Sequence, residues 1–178
     1  MAGKSLYPKS RYKHFRSDTG FVDMTNKEFW NKLDMAVDGF EANGSDISMK
    51  SMEIVNLIKK AYDERLNIII ACTYEPGDDS TAHHLYTEVG NIGRIYLFYS
   101  SKRKARELSG SDGYGEASVR AIFNNIFCRR EAMGIAFNAV QGNCMIMKRY
   151  LDLGFAGEDI EKPESFIESR KGGWRPGR

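Results

Sequence analysis

The sequence predicts a single α/β domain of the α+β kind, a mixed β-sheet flanked by helices. Three observations predict it. Two amphipathic helical patterns lie between residues 25 and 65. Two five-residue runs, Ile68 to Cys72 and Ile95 to Tyr99, are rich in branched and aromatic side chains and have no helical period. Helical and strand patterns then alternate beyond residue 100. At 178 residues, the chain fits one domain with tails: 1–24 basic, 25–157 the domain, 158–178 charged, basic and Gly/Pro-containing. A chain of this size buries roughly 70% of its unfolded surface, so it requires no disulfide or metal staple.

Thr25 and Glu28 form a capping-box signal ahead of Phe29, Leu33, Val37 and Phe40, one stripe of a helix that Asn43-Gly44 ends. A second helix runs from Ser48 or Ser51 to Arg65, with Ile54, Val55, Ile58, Ala61 and Tyr62 inward and Lys50, Glu53, Lys59, Lys60 and Asp63 outward. Leu66–Tyr74 reads as a central strand, because Ile68-Ile69-Ile70 is continuously apolar and so is covered on both faces. Glu75-Pro76-Gly77-Asp78-Asp79 is a turn. Strands at 84–89 and 94–100 pair as a hairpin across Gly90-Asn91 and Gly93. Ser101 caps a short helix through Lys104 to Leu108, and Ser109–Gly115, with three glycines, reads as loop. Ala117–Arg130 is helical, and Gly134–Asn138 is a strand ended by Gln141-Gly142-Asn143. Residues 144–147 form a short strand, followed by a helical turn that Gly154 terminates. Beyond Glu158 only a helical fragment around Pro163 to Ser169 is expected.

Charge separates the ends from the body. Residues 1–16 carry five bases and no acid, and residues 170–178 four bases and no acid, leaving 17 bases against 24 acids between them. Two basic tails on an acidic body could contact nucleic acid, with Tyr7, Tyr12, Phe15 and Trp174 available to stack on bases, but solvated ends are the preferred reading. A membrane span needs about 20 apolar residues, and the longest run holds five. The polar, basic N-terminus has no signal-peptide pattern, so a cytoplasmic protein is expected. Cys72, Cys128 and Cys144 are odd in number, lack a CxxC pair and have apolar neighbours, as buried reduced thiols do.

Catalytic patterns are sparse. There is no Gly-x-Ser-x-Gly elbow and no phosphate loop ending in Gly-Lys-Ser/Thr. His83-His84 would point to opposite faces of a strand and cannot share a metal there; a solvated loop is the preferred reading. Glu75, Asp78 and Asp79 offer oxygen ligands to a hard cation, but an acidic surface turn explains them as well, and no metal is expected. Cys72 as a nucleophile with His83 or His84 conflicts with its buried strand. The Ser109–Gly115 turn could cradle an anion, although Asp112 and Glu116 would repel a phosphate.

Two family resemblances follow from particular residues. Arg94–Ser100 running into Ser101-Lys-Arg-Lys-Ala105 is similar to a "Phe-Thr-Ser, then helix with alanine" segment of the SseB amino-terminal-domain family, with Tyr99 in place of Thr. Ser118, Arg120, Ile122, Asn125 and Phe127, followed by Gly134-Ile135-Ala-Phe137-Asn138, resemble its helix and its "Gly-Ile-x-x-Asn-Pro" strand end, with Ala139 where the family has Pro. Leu66–Tyr74 with Pro76 resembles its first strand, so the likeness spans about residues 50 to 150. It implies an α/β domain without established catalytic residues, an accessory or interaction module with no cofactor. In addition, Gly113-Tyr-Gly115, a helix, a strand, Asn143 and Tyr150-Leu-Asp-Leu-Gly154-Phe155 look like the second half of a GNAT N-acetyltransferase, over about 45 residues. That resemblance implies acetyl-CoA as cofactor, its phosphates on Gly113 and Gly115, and Tyr150 as the acid. Gly110 stands where that family has Gln or Arg.

The expectation is therefore a non-catalytic cytoplasmic module that binds a partner protein through Arg120, Asn124 and Asn125 beside the Gly113–Gly115 stretch. Acetyl transfer is the alternative, and nucleic-acid contact through residues 1–16 and 170–178 the second alternative. For Asn124 and Asn125, satisfying backbone groups at a buried helix end is an equal reading.

Overall fold

A computed structural model describes residues 23–40, 46–75, 77–91, 93–139, 144–160 and 168–170. The elements are α1 (Asn26–Asp38), α2 (Ile47–Asp63), β1 (Asn67–Glu75), β2 (Asp78–Val89), β3 (Gly93–Tyr99), α3 (Lys102–Leu108), β4 (Gly113–Ser118), α4 (Val119–Cys128), β5 (Ala132–Phe137), β6 (Cys144–Met147), α5 (Lys148–Gly154) and β7 (Glu168–Arg170). They form one mixed sheet flanked by helices, the predicted fold class. No helix among the described residues is long and apolar enough to cross a membrane.

Local chemistry places the helices as expected. The Thr25 hydroxyl accepts the Glu28 N–H at 3.2 Å, and a Glu28 carboxylate oxygen accepts the Thr25 N–H at 2.8 Å, a reciprocal box that sets the start of α1. Phe29, Leu33 and Val37 are buried as one stripe. At the end of α2, Arg65 adopts a left-handed backbone (φ 58°), and the Leu66 N–H returns to the Ala61 carbonyl at 2.9 Å. This is the closing bond of a Schellman turn with arginine in the position glycine usually takes.

The sheet is built on β1, whose Ile68, Ile69 and Ile70 are all buried. One edge of β1 pairs antiparallel with β4, from Asn67↔Ser118 to Cys72↔Gly113. The other edge divides. Ile69 and Ile70 pair with Tyr99 and Phe98 of β3, whereas Cys72 to Tyr74 pair with β2, starting at Cys72↔His84. β2 in turn pairs with β3 from Tyr86↔Tyr96. All three pairings are antiparallel, which planar strands cannot achieve, because a strand antiparallel to two neighbours makes those neighbours parallel to each other. β1 and β3 therefore separate, and β2 lies across the opening.

His84 sits where β2 changes partner. It is fully buried, with Nε2 at 2.9 Å from the Leu97 carbonyl, in the step of β3 between the residue paired to β2 and the residue paired to β1. A carbonyl oxygen only accepts, so Nε2 carries the proton. The ring lies edge-on to Phe98, 4.9 Å between centroids. β5 runs parallel to β3 in register from Ile95↔Gly134 to Phe98↔Phe137, and β6 returns antiparallel.

Residues alternate between two faces. Ile68, Ile70, Phe98, Ile135 and Phe137 pack with residues of α1, α2, α4 and α5, while Ile69, Leu97, Tyr99 and Ala136 pack with Ala105 of α3. Aromatic contacts tie the thicker layer together: Phe123 of α4 stacks on Phe98 and Phe155, and Tyr62 of α2 meets Phe155 edge-on at 5.2 Å.

Several expectations are corrected. Ser109–Gly115 is not all loop, because Gly113 to Ser118 is a strand held by β1. β2 begins at Asp78, and Glu75 pairs with Asp78, so the acidic turn is shorter than predicted. His83 and His84 lie in that strand and are buried, not in a solvated loop. Of the helical fragment expected around 163–169, residues 168 and 169 lie in a strand at 168–170, paired parallel with His84–Tyr86, while 163–167 fall outside the described residues. The rest of that expectation, residues 1–22, Asn43-Gly44, Pro76 and the 141–143 strand end, falls outside the described residues.

Two substitutions test this construction. A Cβ on Gly154 would overlap Cγ1 of buried, β-branched Val55, so Gly154→Ala separates α5 from α2 and lowers stability by about 1–3 kcal/mol in urea unfolding. His84→Leu keeps the bulk but strands the Leu97 carbonyl, a loss of about 1–3 kcal/mol by the same measurement.

Candidate functional site

The structure disperses the residues singled out in the sequence. Gly113 and Gly115 lie inside β4, where a Cβ on Gly113 would stand 3.2 Å from both the Cys72 carbonyl and the Tyr74 ring. Gly113 permits close approach to β1, and neither glycine forms an open turn ahead of a helix. Tyr150 lies in the first turn of α5, which follows β6 directly, and β6 is at the opposite edge of the sheet from β4. Its hydroxyl shares a 2.9 Å hydrogen bond with Ser48 and accepts one from Arg149 at 3.0 Å. The Ser48 bond and then the Arg149 guanidinium hold the phenol below its ordinary range.

Asn124 and Asn125 are 5% and 1% exposed, so neither forms a surface edge. The Asn124 carbonyl accepts the Tyr62 hydroxyl at 2.6 Å, a buried link between α4 and α2. Arg120 places its guanidinium 4.7 Å from the centre of the Tyr62 ring. Arg120 and Asn124 therefore both engage Tyr62, and of the three α4 residues only Arg120 is partly exposed.

A polar cluster that sequence reasoning missed lies at the carboxyl ends of the parallel strands β3 and β5, where α/β sheets commonly bind ligands. Ser100 donates its hydroxyl to Asp34 of α1 and accepts from Asn138 Nδ2 at 2.8 Å, while the Asn138 carbonyl accepts the Ser100 N–H at 3.1 Å. Arg103 donates to the second Asp34 oxygen at 3.0 Å. Asn138 takes a left-handed backbone, φ 52°, while its N–H bonds the Phe98 carbonyl at 3.0 Å. None of these bonds to Ser100 comes from a histidine or lysine that could take up its proton, and both hydroxyl roles are filled. The cluster fastens α1 to the β3–α3 turn. Beside it, burial and then Asp112 push the Tyr99 phenol up to about 12.

Two of the three thiols are withdrawn as well. Burial raises Cys72, with Tyr74 opposing it, and raises Cys144 to about 12. Cys128, expected to be buried, is exposed near the end of α4. Among the described residues, no three His, Cys, Asp or Glu side chains gather as a metal would need.

Among the described residues, a groove of about 580 Å³ lies between α1 and α2, lined by Lys32, Met35, Ala36, Glu53, Asn56, Leu57 and Lys60. Its α2 side is a helical ridge: 53, 56, 57 and 60 are spaced i, i+3, i+4 and i+7, one stripe beside the core-facing stripe Ile54, Ile58, Ala61. On α1, Lys32, Met35 and Ala36 flank buried Leu33 in the same way. Met35 is 77% exposed. The sequence reading placed Glu53 and Lys60 outward but overlooked Leu57 and Met35. The available signal was an apolar residue recurring one helical position off the core stripe.

No family model, no curated protein and no solved structure matches this chain. Thiol titration checks the burial just described. In the folded protein at pH 8 a disulfide reagent should modify Cys128 alone, because a thiol near 12 is about one part in ten thousand thiolate there; all three should react in denaturant. Rapid native modification of Cys72 or Cys144 would contradict it.

Proposed function

We propose that this chain is a non-catalytic cytoplasmic accessory module that binds a partner protein in the α1–α2 groove. One observation carries the reading: Met35 stands 77% exposed over Ala36 and Leu57 in a concave strip between two helices. A large apolar side chain in a concave setting gains by being covered, at about 25 cal/mol for each Å² removed from water. The Tyr62–Asn124 and Ser100–Asp34 hydrogen bonds and the buried Cys72 and Cys144 thiols support it, since these groups are bonded to one another or withdrawn from solvent. The resemblance to the SseB amino-terminal-domain family points the same way.

A photo-crosslinking residue at position 35, with a control at exposed Arg106 on α3, tests the reading in native cells. A protein captured at 35 and not at 106 is then produced pure and titrated by calorimetry. Met35→Glu combined with Asn56→Glu should weaken it at least tenfold without moving the melting temperature, because both side chains are exposed. Equal binding by the double variant, or transfer of acetyl groups from acetyl-CoA by the purified chain, would overturn it.

A further inference from the structure

We propose that the free edge of β4 is a second interaction surface, where an extended segment of a partner protein adds a strand to the sheet and lays a large apolar side chain against Tyr74. This surface belongs to the sheet and does not depend on the α1–α2 groove.

β4 ends the strand order on one side, and among the described residues no strand lies beyond it. The direction of its backbone groups follows from one bond just past its end, where the Val119 N–H meets the Leu66 carbonyl at 3.0 Å. In an antiparallel pair, residues that exchange hydrogen bonds alternate with residues that do not. In the register Asn67↔Ser118 to Cys72↔Gly113, the bonds to β1 therefore fall at Ala117, Gly115 and Gly113. Tyr114 and Glu116 turn their N–H and C=O groups outward. Only another extended backbone offers donors and acceptors at that spacing, because a helix keeps its own groups paired internally.

Sheet edges are usually guarded by lysine, proline, a bulge or brevity. The rim of β2 is crossed by β7, and β6 has four residues. β4 has six, with neither lysine nor proline, and an unbroken register with β1. Its one charged side chain, Glu116, is held by Lys102 at 3.0 Å. On the opposite face Gly113 and Gly115 leave a trough that the Tyr74 ring enters from β1. A Cβ on Gly113 would stand 3.2 Å from Cε2 of that ring, and one on Gly115 3.8 Å from its hydroxyl. Tyr74 is 39% exposed, so an aromatic or branched side chain opposite Gly115 gains by covering it. These contacts favour a partner over a second copy of this chain. Two copies of β4 pair about a two-fold axis, and their two fullest registers set Gly115 against glycine or Glu116 against glutamate. Neither register covers Tyr74.

The probe is a labelled, end-capped peptide, Lys-Thr-Val-Thr-Phe-Thr-Val-Lys, with two further forms N-methylated either at every Thr or at Val, Phe and Val. Whichever way the strand runs, only one of these sets of amides faces β4. Fluorescence anisotropy with the whole chain should show the parent binding below about 1 mM. One methylated form should lose at least tenfold in affinity and the other little. Glu116→Pro removes an outward N–H and no bond to β1, so it should abolish binding with little change in melting temperature. Met35→Glu should leave the affinity unchanged, which separates this edge from the groove. No binding by the parent, or equal affinity of the two methylated forms, would overturn the proposal, and both readings use the natural chain, so they hold even if Glu116→Pro fails to fold. Unchanged binding by a folded Glu116→Pro chain would overturn it as well. A dimer that Glu116→Pro returns to monomer would make the occupant a second copy. Tighter binding by a peptide of residues 9–16 would make it the chain's own basic segment. Either result removes the partner strand.

Discussion

β1, β2 and β3 run mutually antiparallel, a set of directions that no flat sheet holds, and the rest of the molecule accommodates that fact. The conflict is resolved at one residue step, where β3 passes from β1 to β2 and the Leu97 carbonyl receives the His84 ring nitrogen. A hydrogen-bonding side chain that also offers an aromatic face suits this place, because it meets a polar backbone atom and the rings of Phe98 and Tyr96 together. With β1 and β3 joined on the far side of the separation, the parallel pair β3–β5 stays closed to Asn138. The sheet thus opens at its antiparallel part and not between its parallel strands.

Elements whose identity rests on their own residues were legible. The Thr25–Glu28 box, the stripe Phe29–Leu33–Val37 and the doubly buried Ile68–Ile70 run are local patterns with a direct physical cause, and each lies where the pattern puts it. Elements defined by a distant partner were not. β4 reads as loop because Gly113-Tyr-Gly115 has little strand preference of its own, but β1 supplies the pairing and Gly113 allows the approach. His83-His84 looked solvated because two imidazoles rarely occupy a core, and nothing nearby in sequence announces Leu97 as acceptor.

The same division holds for function. The Asp34–Ser100–Asn138 cluster joins residues 66 and 38 positions apart, so no spacing rule reaches it. Asn124 and Asn125 are hydrophilic by type and interior by position, and α4 turns Asn124 onto the Tyr62 hydroxyl. The groove was half legible: the polar residues were assigned to the right side, and what changed their meaning was the second helix laid alongside. A surface of this kind belongs to the pair of helices and has no signature in either alone.

β7 covers the outer rim of β2 only across His84 to Tyr86, the stretch in which β2 turns from one partner to the next. A bare rim of a sheet is a template on which another molecule's strand can lengthen it, the first step of edge-to-edge aggregation. The short parallel strand occupies the middle of that template, leaving no long straight segment on either side. A chain cut before residue 168 would lose that guard, and its solubility would depend on how far β2 bends.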